Sequence, residues 1–530
     1  MVVALGLVLL VRALELRLPE MSRPVWQDEV HHNEPVLSSA DMEAMERTTV
    51  YRMMFQPRLD FWLRHEFWFP WLGVSERALR IPALVWGLCL VPLVYSALVA
   101  FFSARMDLRW AALLAFLASL WIVDNPMQVH IAAEGRHYSL ISLASTIWCA
   151  LLFLYRGRPR WLLALASVLF ANTHFFSLPL IVIGYVLQIG REIREREYRW
   201  IPVHLLAGLA VYASTAYLNW VPFEALLRRP PGVVRAPLTD IFALSHFRGT
   251  LQVWLAFSRV LSLPPATWLV WLSILAATVL RRQWRWVPLL LAVFAVVPAI
   301  LLYLRFRSSY PFGDRYFSPF FGIGLVTLVA GLDVVLNEWE RLLPRLSSRA
   351  RSFALPAAVF AFGLLFSAPA FAYRVIADAS NIRAVPANFS PYFQAYSALA
   401  AERKPVFIVH THCYVNDVPT MYFRSILPQA QGLIEWGDVG CKGSAGRGGQ
   451  TRRRLRLFLR RHARHGGIVV IDEKETECAA RTIPELPPPA QAERMNVGEG
   501  CLWKFRGVKT RARLADAASA LGVSAAQYLR

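Results

Sequence analysis

Leu79 to Phe102 reads LRIPALVWGLCLVPLVYSALVAFF, a run in which Arg80 is the only charged side chain. Crossing the hydrocarbon core of a bilayer takes about 20 mostly apolar residues at roughly 1.5 Å rise each. The run has that length, and its apolar character continues through all its residues instead of falling on one face. It predicts a membrane-spanning helix, and the rest of the chain follows from it.

Similar runs lie near 1–17, 110–124, 138–155, 161–176, 178–190, 201–220, 265–280, 286–303, 316–336 and 352–373, which with 79–102 makes eleven. The composition agrees: 56% of the 530 residues are hydrophobic and 18% charged, with a mean hydropathy of +0.38. A soluble domain carries about a quarter charged residues. The fold class expected is therefore an α-helical polytopic membrane protein, about eleven transmembrane helices over 1–373, with a small soluble domain over 374–530. The first run contains Arg12 and Glu15 and is followed by no small-residue cleavage site, so it reads as a span rather than a signal peptide.

The formal charge of +21 raises the question of nucleic acid. The arginines instead sit between apolar runs: Arg105 and Arg109; Arg156, Arg158 and Arg160; Arg191, Arg194, Arg196 and Arg199; Arg281, Arg282 and Arg285; Arg341, Arg345, Arg349 and Arg351. Every second loop is basic, which places these loops and the amino terminus in the cytoplasm. No nucleic-acid partner is expected. An odd number of spans puts the tail outside, so the expected location is the inner (cytoplasmic) membrane with a periplasmic tail domain.

The outer face then receives loops 18–78, 125–137, 221–264 and 304–315. In the first of these, Asp41–Met54 and Leu59–Trp71 read as interfacial helices, with Phe61, Trp62, Phe67, Trp68, Phe69 and Trp71 as an aromatic belt among membrane lipids. In the tail, Lys404–His410, Gly467–Asp472 and Cys501–Phe505 read as strands, which makes the soluble domain α/β. Gly443–Gly449 reads as a loop and Arg452–Arg464 as a solvated helix face. Cys89 and Cys149 fall inside apolar runs and read as small core residues, whereas Cys413, Cys441, Cys478 and Cys501 are candidates for two disulfides in an oxidising compartment or four free thiols.

Chemistry concentrates at three places on the outer side. Trp26–Glu34 holds Asp28, Glu29, His31, His32 and Glu34 at the expected membrane surface, where ionisable groups are costly unless they pair or work. A carboxylate there can take a proton from an attacking acceptor; a hydrated loop start is the plainer reading. His130–Tyr138 holds Glu134, Arg136 and His137. Its arginine suits a phosphate, and an ion pair capping two helices would look the same. Arg305–Tyr316 carries Arg315 and Tyr316 into a late span, with snorkelling at the interface as the alternative. His31, His32, Glu34, Glu134 and His137 also form a donor set that admits a divalent metal without selecting one. No cofactor is otherwise implied. His174, near the outer end of the fifth span, reads as hydrogen-bonded packing.

Four features in order, the Asp28-Glu29 pair after the first span, Ser75–Ala83 (SERALRIPA) entering the second, Glu134–Leu140 (EGRHYSL), and Arg315-Tyr316 opening a late span, resemble the GT-C glycosyltransferases. The likeness is to protein mannosyltransferases and lipid A aminoarabinose transferases, glycosyltransferase family 39, and it covers about 1–336. It implies a GT-C fold and transfer of a sugar, with inversion, from a polyprenyl-phosphate carrier to a glycan, lipid or protein acceptor. It further implies Asp28 as base with Glu29 beside it, Arg136, Arg315 and Tyr316 on the donor phosphate, and Glu134 as an acid in the cavity. This chain has Gln56-Pro57-Arg58-Leu59 where many relatives have His-Pro-Pro-Leu. The rival readings are a transporter or flippase of lipid-linked sugars, a ligase or polymerase using diphosphate-linked oligosaccharides, and a receptor or scaffold.

Overall fold

The computed structural model describes residues 1–21, 27–37, 39–48, 51, 56–154, 160–222, 224, 264–282, 284–300 and 314–342, and in the tail 406–410, 434–438, 454–455, 457–459, 461–462, 467–472, 492–497 and 500–505. The chain divides into two compact units. One comprises Met1–Arg23, Asp41–Gly73 and Arg77–Arg383, the other Pro24–Ala40, Val74–Glu76 and Ala384–Arg530.

The first unit is helical. Its elements are α1 (Val2–Met21), α3 (Met42–Arg47), α4 (Leu59–Leu63), α5 (Phe69–Leu72), α6 (Glu76–Ser103), α7 (Leu108–Val123), α8 (Pro126–Ala132), α9 (Tyr138–Cys149), α10 (Arg160–Ala171), α11 (Ser177–Glu195), α12 (Ile201–Leu218), α13 (Pro264–Arg281), α14 (Val287–Leu291) and α15 (Phe321–Leu342). Ten of the eleven apolar runs lie on these helices, and 352–373 falls outside the described residues. By length and composition, Glu76–Ser103, Tyr198–Leu218 and Phe317–Glu338 can each cross a membrane. Leu108–Val123 with Pro126–Ala132, bent by 64°, makes a fourth if counted as one span. Two others, α9 and α14, are shorter than their runs, each ending where the backbone changes pitch. α9 passes into a π turn at Ala150–Leu154, α14 into one at Ala292–Val296, and α15 is preceded by a 3₁₀ turn at Asp314–Phe320.

Large apolar side chains cover the outside of these helices, with Leu206 65% and Tyr217 84% exposed, while Arg17, Arg64 and Asp333 are fully buried. Water penalises that distribution and lipid does not. Lipid tails are also as apolar as leucine, so helices associate through close packing and hydrogen bonds rather than through the hydrophobic effect. The contact between α9 and α15 shows both. Ser145 Oγ donates to the Pro319 carbonyl at 2.7 Å and accepts from the Gly322 N–H at 3.1 Å. A Cβ on Gly322 would overlap the Ser145 carbonyl. Trp121 of α7 stacks on Phe321, centroids 5.2 Å apart.

The basic loops are tied by carboxylates. Arg105 and Arg285 both pair with the buried Asp333, which also accepts from Trp286 Nε1 at 3.0 Å. Arg281 and Arg341 flank Glu338. The α6–α7 loop, the α13–α14 loop and the last part of α15 therefore lie together. Elsewhere, Arg160 bridges Glu192 and Glu197 at 3.1 and 2.7 Å and lies over Trp200.

Four expectations change. The 125–137 segment, expected to be a loop, contains α8: the Asn125 side chain accepts from the Gln128 N–H and Pro126 opens the helix, which together start a new turn. The interfacial helix expected to reach Met54 is described only to Arg47. There Thr48 turns extended, and its Oγ1 takes the Met45 carbonyl. Of the aromatic belt, Phe61, Trp68 and Phe69 are buried while Trp62, Phe67 and Trp71 are exposed. Phe61, Arg64 and Trp68 share one helix face, so the stretch splits its aromatics between core and surface. Finally, Cys149 is buried but Cys89 is exposed, because the buried face of α6 runs through Ala83, Gly87, Leu90, Val91 and Val94.

The second unit contains α2 (Gln27–Leu37) and five strands, β1 (Val406–His410), β2 (Ile434–Asp438), β3 (Gly467–Asp472), β4 (Ala492–Val497) and β5 (Gly500–Phe505). Their order is β2-β1-β3-β5-β4. β1 is parallel to β2 and β3, with Ile408 beside Trp436 and Val470; β5 is antiparallel to β3 and β4. The three segments read as strands are β1, β3 and β5, the interior of the sheet. Residues within 454–462 are helical, with Leu455, Phe458 and Leu459 inward and Arg454 and Arg461 exposed, as a solvated helix face requires. Gly443–Gly449, Cys413, Cys441 and Cys478 lie outside the described residues, as does the side chain of Cys501 on β5.

Candidate functional site

The turn between α8 and α9 carries Glu134, Arg136 and His137. It is tight: the Arg136 N–H donates to the Glu134 carbonyl at 2.6 Å, and the Ile141 N–H takes the His137 carbonyl to begin α9. Both charged residues are buried. Arg136 Nη1 lies 3.8 Å from Glu134 Oε1, an ion pair longer than a hydrogen bond. His130 Nε2, one helical turn earlier on α8, is 3.9 Å from the other carboxylate oxygen.

Aromatic rings extend the site. The Arg136 guanidinium sits 4.9 Å from the Tyr138 ring centroid, and Tyr138 stacks on His137 at 4.9 Å. His137 in turn lies nearly parallel to His174, 5.8 Å away and 8° from coplanar orientation. His174 comes from the turn linking α10 and α11, and Phe176 closes the series edge-on at 4.4 Å. The Phe176 N–H donates to His174 Nδ1 at 3.1 Å, so the ring proton of neutral His174 is on Nε2. Burial first, then the nearby positive Arg136, pull the His174 pKa down to about 4.

That turn is braced from two sides. Asn219, at the end of α12, donates from Nδ2 to Asn172 Oδ1 at 2.7 Å, and its Oδ1 accepts from the Arg58 N–H at 2.5 Å. Arg58 Nε pairs with Glu46 at 3.2 Å. The first-loop stretch Gln56–Leu59 is thereby joined to the segment holding His174. α4 is anchored nearby: Arg64 donates to Asp60 at 2.6 Å and to the Leu79 carbonyl at 2.8 Å. Arg17 of α1 caps the end of α7 through the Ile122 and Val123 carbonyls.

The 3₁₀ turn with Arg315 and Tyr316 packs against α8 and α9. Ser145 fixes its far end, as described above. The side chains of Arg315 and Tyr316 lie outside the described residues. Asp28 and Glu29 stand on α2 of the second unit, in a stretch that the sequence did not mark as a helix. Glu29, His32, Asn33 and Val36 form its buried face, at spacings of three and four. Asn33 Nδ2 donates to the Glu29 carbonyl at 2.7 Å. The side chains of Asp28, His31 and Glu34 are outside the described residues.

Glu134, Arg136 and His137 lie on one turn, and His174 joins them from another. Of the candidate metal donors, His32 stands on α2 of the second unit and Glu134 and His137 on the α8–α9 turn of the first, while the side chains of His31 and Glu34 lie outside the described residues. No three His, Cys, Asp or Glu side chains gather to hold a metal among the described residues. The bracing roles of Asn172 and Asn219, polar residues at turn positions with no motif around them, carry no signal in the sequence, and Arg58 was visible there only as part of Gln56-Pro57-Arg58-Leu59.

No protein-family model matches the chain, and no curated protein matches it. Among solved structures, it is similar to ArnT from Cupriavidus metallidurans, crystallised with undecaprenyl phosphate bound, with 14% identity, a TM-score of 0.48, and 95% of this chain and 97% of that chain covered.

Proposed function

We propose that the chain is an integral membrane glycosyltransferase of the GT-C type that transfers a sugar from a polyprenyl-phosphate carrier to an acceptor on the periplasmic side. The observation that carries the reading is the buried Glu134–Arg136 pair between α8 and α9, the two helices against which the 3₁₀ turn bearing Arg315 packs. A buried cation at a helix bend is expensive to maintain. It is useful where a phosphate leaves, because a fixed guanidinium stabilises charge that develops on the departing oxygen. The order of motifs along the sequence points the same way.

In the proposed reaction an acceptor oxygen or nitrogen attacks the anomeric carbon from the face opposite the phosphate. The new bond forms as the bond from that carbon to the phosphate oxygen breaks, which inverts the centre. The proton of the acceptor goes to Asp28, supported by Glu29. The electron pair leaves on the polyprenyl phosphate, whose charge Arg136 and Arg315 meet, with Tyr316 as a further donor to phosphate. The tail domain, with two disulfides among Cys413, Cys441, Cys478 and Cys501, is proposed to face the periplasm.

The test supplies purified protein with polyprenyl-phosphate sugars of several kinds and follows release of the free carrier. Arg136→Ala is expected to lower turnover about 100-fold or more, and Asp28→Asn by about 100- to 10,000-fold. Release with none of the donors, or an Asp28→Asn variant as active as the parent, would overturn the proposal.

A further inference from the structure

The α10–α11 turn bears one group that the proposed reaction leaves unassigned. His174 sits half-buried beside His137, the residue after Arg136, and its ring is held on one edge. Because the Phe176 N–H occupies Nδ1, rotation of the imidazole would forfeit a backbone hydrogen bond. The turn itself is fixed by Asn172 to Asn219, and through Asn219 to Arg58. Thr173 Oγ1 and Ser177 Oγ each take a local carbonyl, of Phe170 and His174. A turn with so many fixed contacts presents one remaining polar edge of known sense, the Nε2–H.

A neutral donor next to a guanidinium has a specific use. A phosphate monoester offers more acceptor positions than one arginine can fill, and an uncharged N–H adds a bond without adding repulsion against Arg136. A second full positive charge there would repel the first. From this geometry we propose that His174 is a further residue of the donor-phosphate site, donating from Nε2–H to a phosphate oxygen of the polyprenyl monophosphate that Arg136 holds. The proposal rests on the functional reading above and adds a residue contributed by a different turn.

The experiment measures binding of polyprenyl monophosphate, with polyprenol as control, to the full-length protein and to His174→Asn, His174→Gln and Arg136→Ala. Asparagine keeps an acceptor near the Nδ1 position and holds the turn; glutamine keeps a donor near the Nε2 position. Loss of a hydrogen bond to a charged partner predicts about tenfold or more weaker binding for His174→Asn. His174→Gln is expected to keep most of the affinity, and polyprenol binding should be unchanged in every variant. Should the substitutions impair folding, hydrogen exchange over 172–177 in the unaltered protein serves instead: polyprenyl monophosphate slows it and polyprenol does not. Unchanged phosphate affinity in His174→Asn, or no slowing in the unaltered protein, overturns the inference. If Arg136→Ala weakens binding while His174→Asn does not, only this inference falls. If the unaltered protein binds no polyprenyl monophosphate, the functional reading falls with it.

Discussion

His174 also links the site to acid stability. Its pKa is about 4 in the folded protein against the ordinary 6.5, lowered by burial and then by Arg136. The unfolded chain therefore takes up this proton first as the pH falls. Above about 6.5 both states are neutral and the residue contributes no pH dependence; between about 6.5 and 4 it removes stability progressively. Replacing it with asparagine removes that titration. Between roughly pH 7.5 and 5 the unfolding temperature of His174→Asn in detergent is expected to fall less than that of the parent. Equal decreases would mean that His174 is protonated as readily folded as unfolded. Arg136 and Glu134 were legible in the sequence because they stand in a short loop on the expected outer side, where topology calls for no positive charge. His174 was legible only as a packed histidine, since its partner His137 lies on another turn, 37 positions earlier, and His174 itself belongs to none of the motifs.

At the scale of elements, the contact between α9 and α15 decides where the turn with Arg315 sits. Gly322→Ala would drive a Cβ into the Ser145 backbone, which cannot swing aside as a side chain can. The expected destabilisation is about 1–3 kcal/mol or more. Ser145→Ala leaves the Pro319 carbonyl and the Gly322 N–H without this partner, at about 1–3 kcal/mol. Ser273→Ala is the control, since that exposed hydroxyl bonds only the Leu269 carbonyl of its own helix. Thermal unfolding of the three variants checks the order, and a Gly322→Ala protein as stable as the Ser273→Ala control would show that α15 is not seated on Ser145. The same scale shows what could be read in advance. Uniform apolar runs such as 79–102 gave away their helices, and the interior strands β1, β3 and β5 were visible as apolar stretches. Among the described residues β2 (IEWGD) and β4 (AERMNV) stand at the two edges of the sheet, each paired on one side, so polar sequences suffice and no alternating signal appears. The π turns left no mark either, since Ala150–Leu154 and Ala292–Val296 contain neither Gly nor Pro, whereas the 3₁₀ turn carries Pro319 just before α15.

For the whole molecule, the reaction proposed requires the Glu134–Arg136 end of the helices to face the periplasm, since lipid-linked donors replace nucleotide sugars where no nucleotide is supplied. The arginines of the alternate loops argue for that orientation even though many are paired. Arg105 and Arg285 share Asp333, and Arg281 and Arg341 share Glu338, so each carboxylate offsets part of the positive charge. Topology, however, follows the count of Lys and Arg in short loops, with Asp and Glu contributing little, so the pairing made after folding does not cancel the signal that oriented the chain. Two exposed arginines on opposite sides of this scheme allow a direct test. Arg47 ends α3 in the first loop, and Arg194 lies at the end of α11 before the basic turn. In a background without the native cysteines, Arg47→Cys should react with a membrane-impermeant maleimide in intact spheroplasts, and Arg194→Cys only after permeabilisation. The reverse pattern would put Arg136 and His174 in the cytoplasm, where a donor attached to a lipid on the outer leaflet could not reach them, and the glycosyl-transfer reading would fail along with the threading.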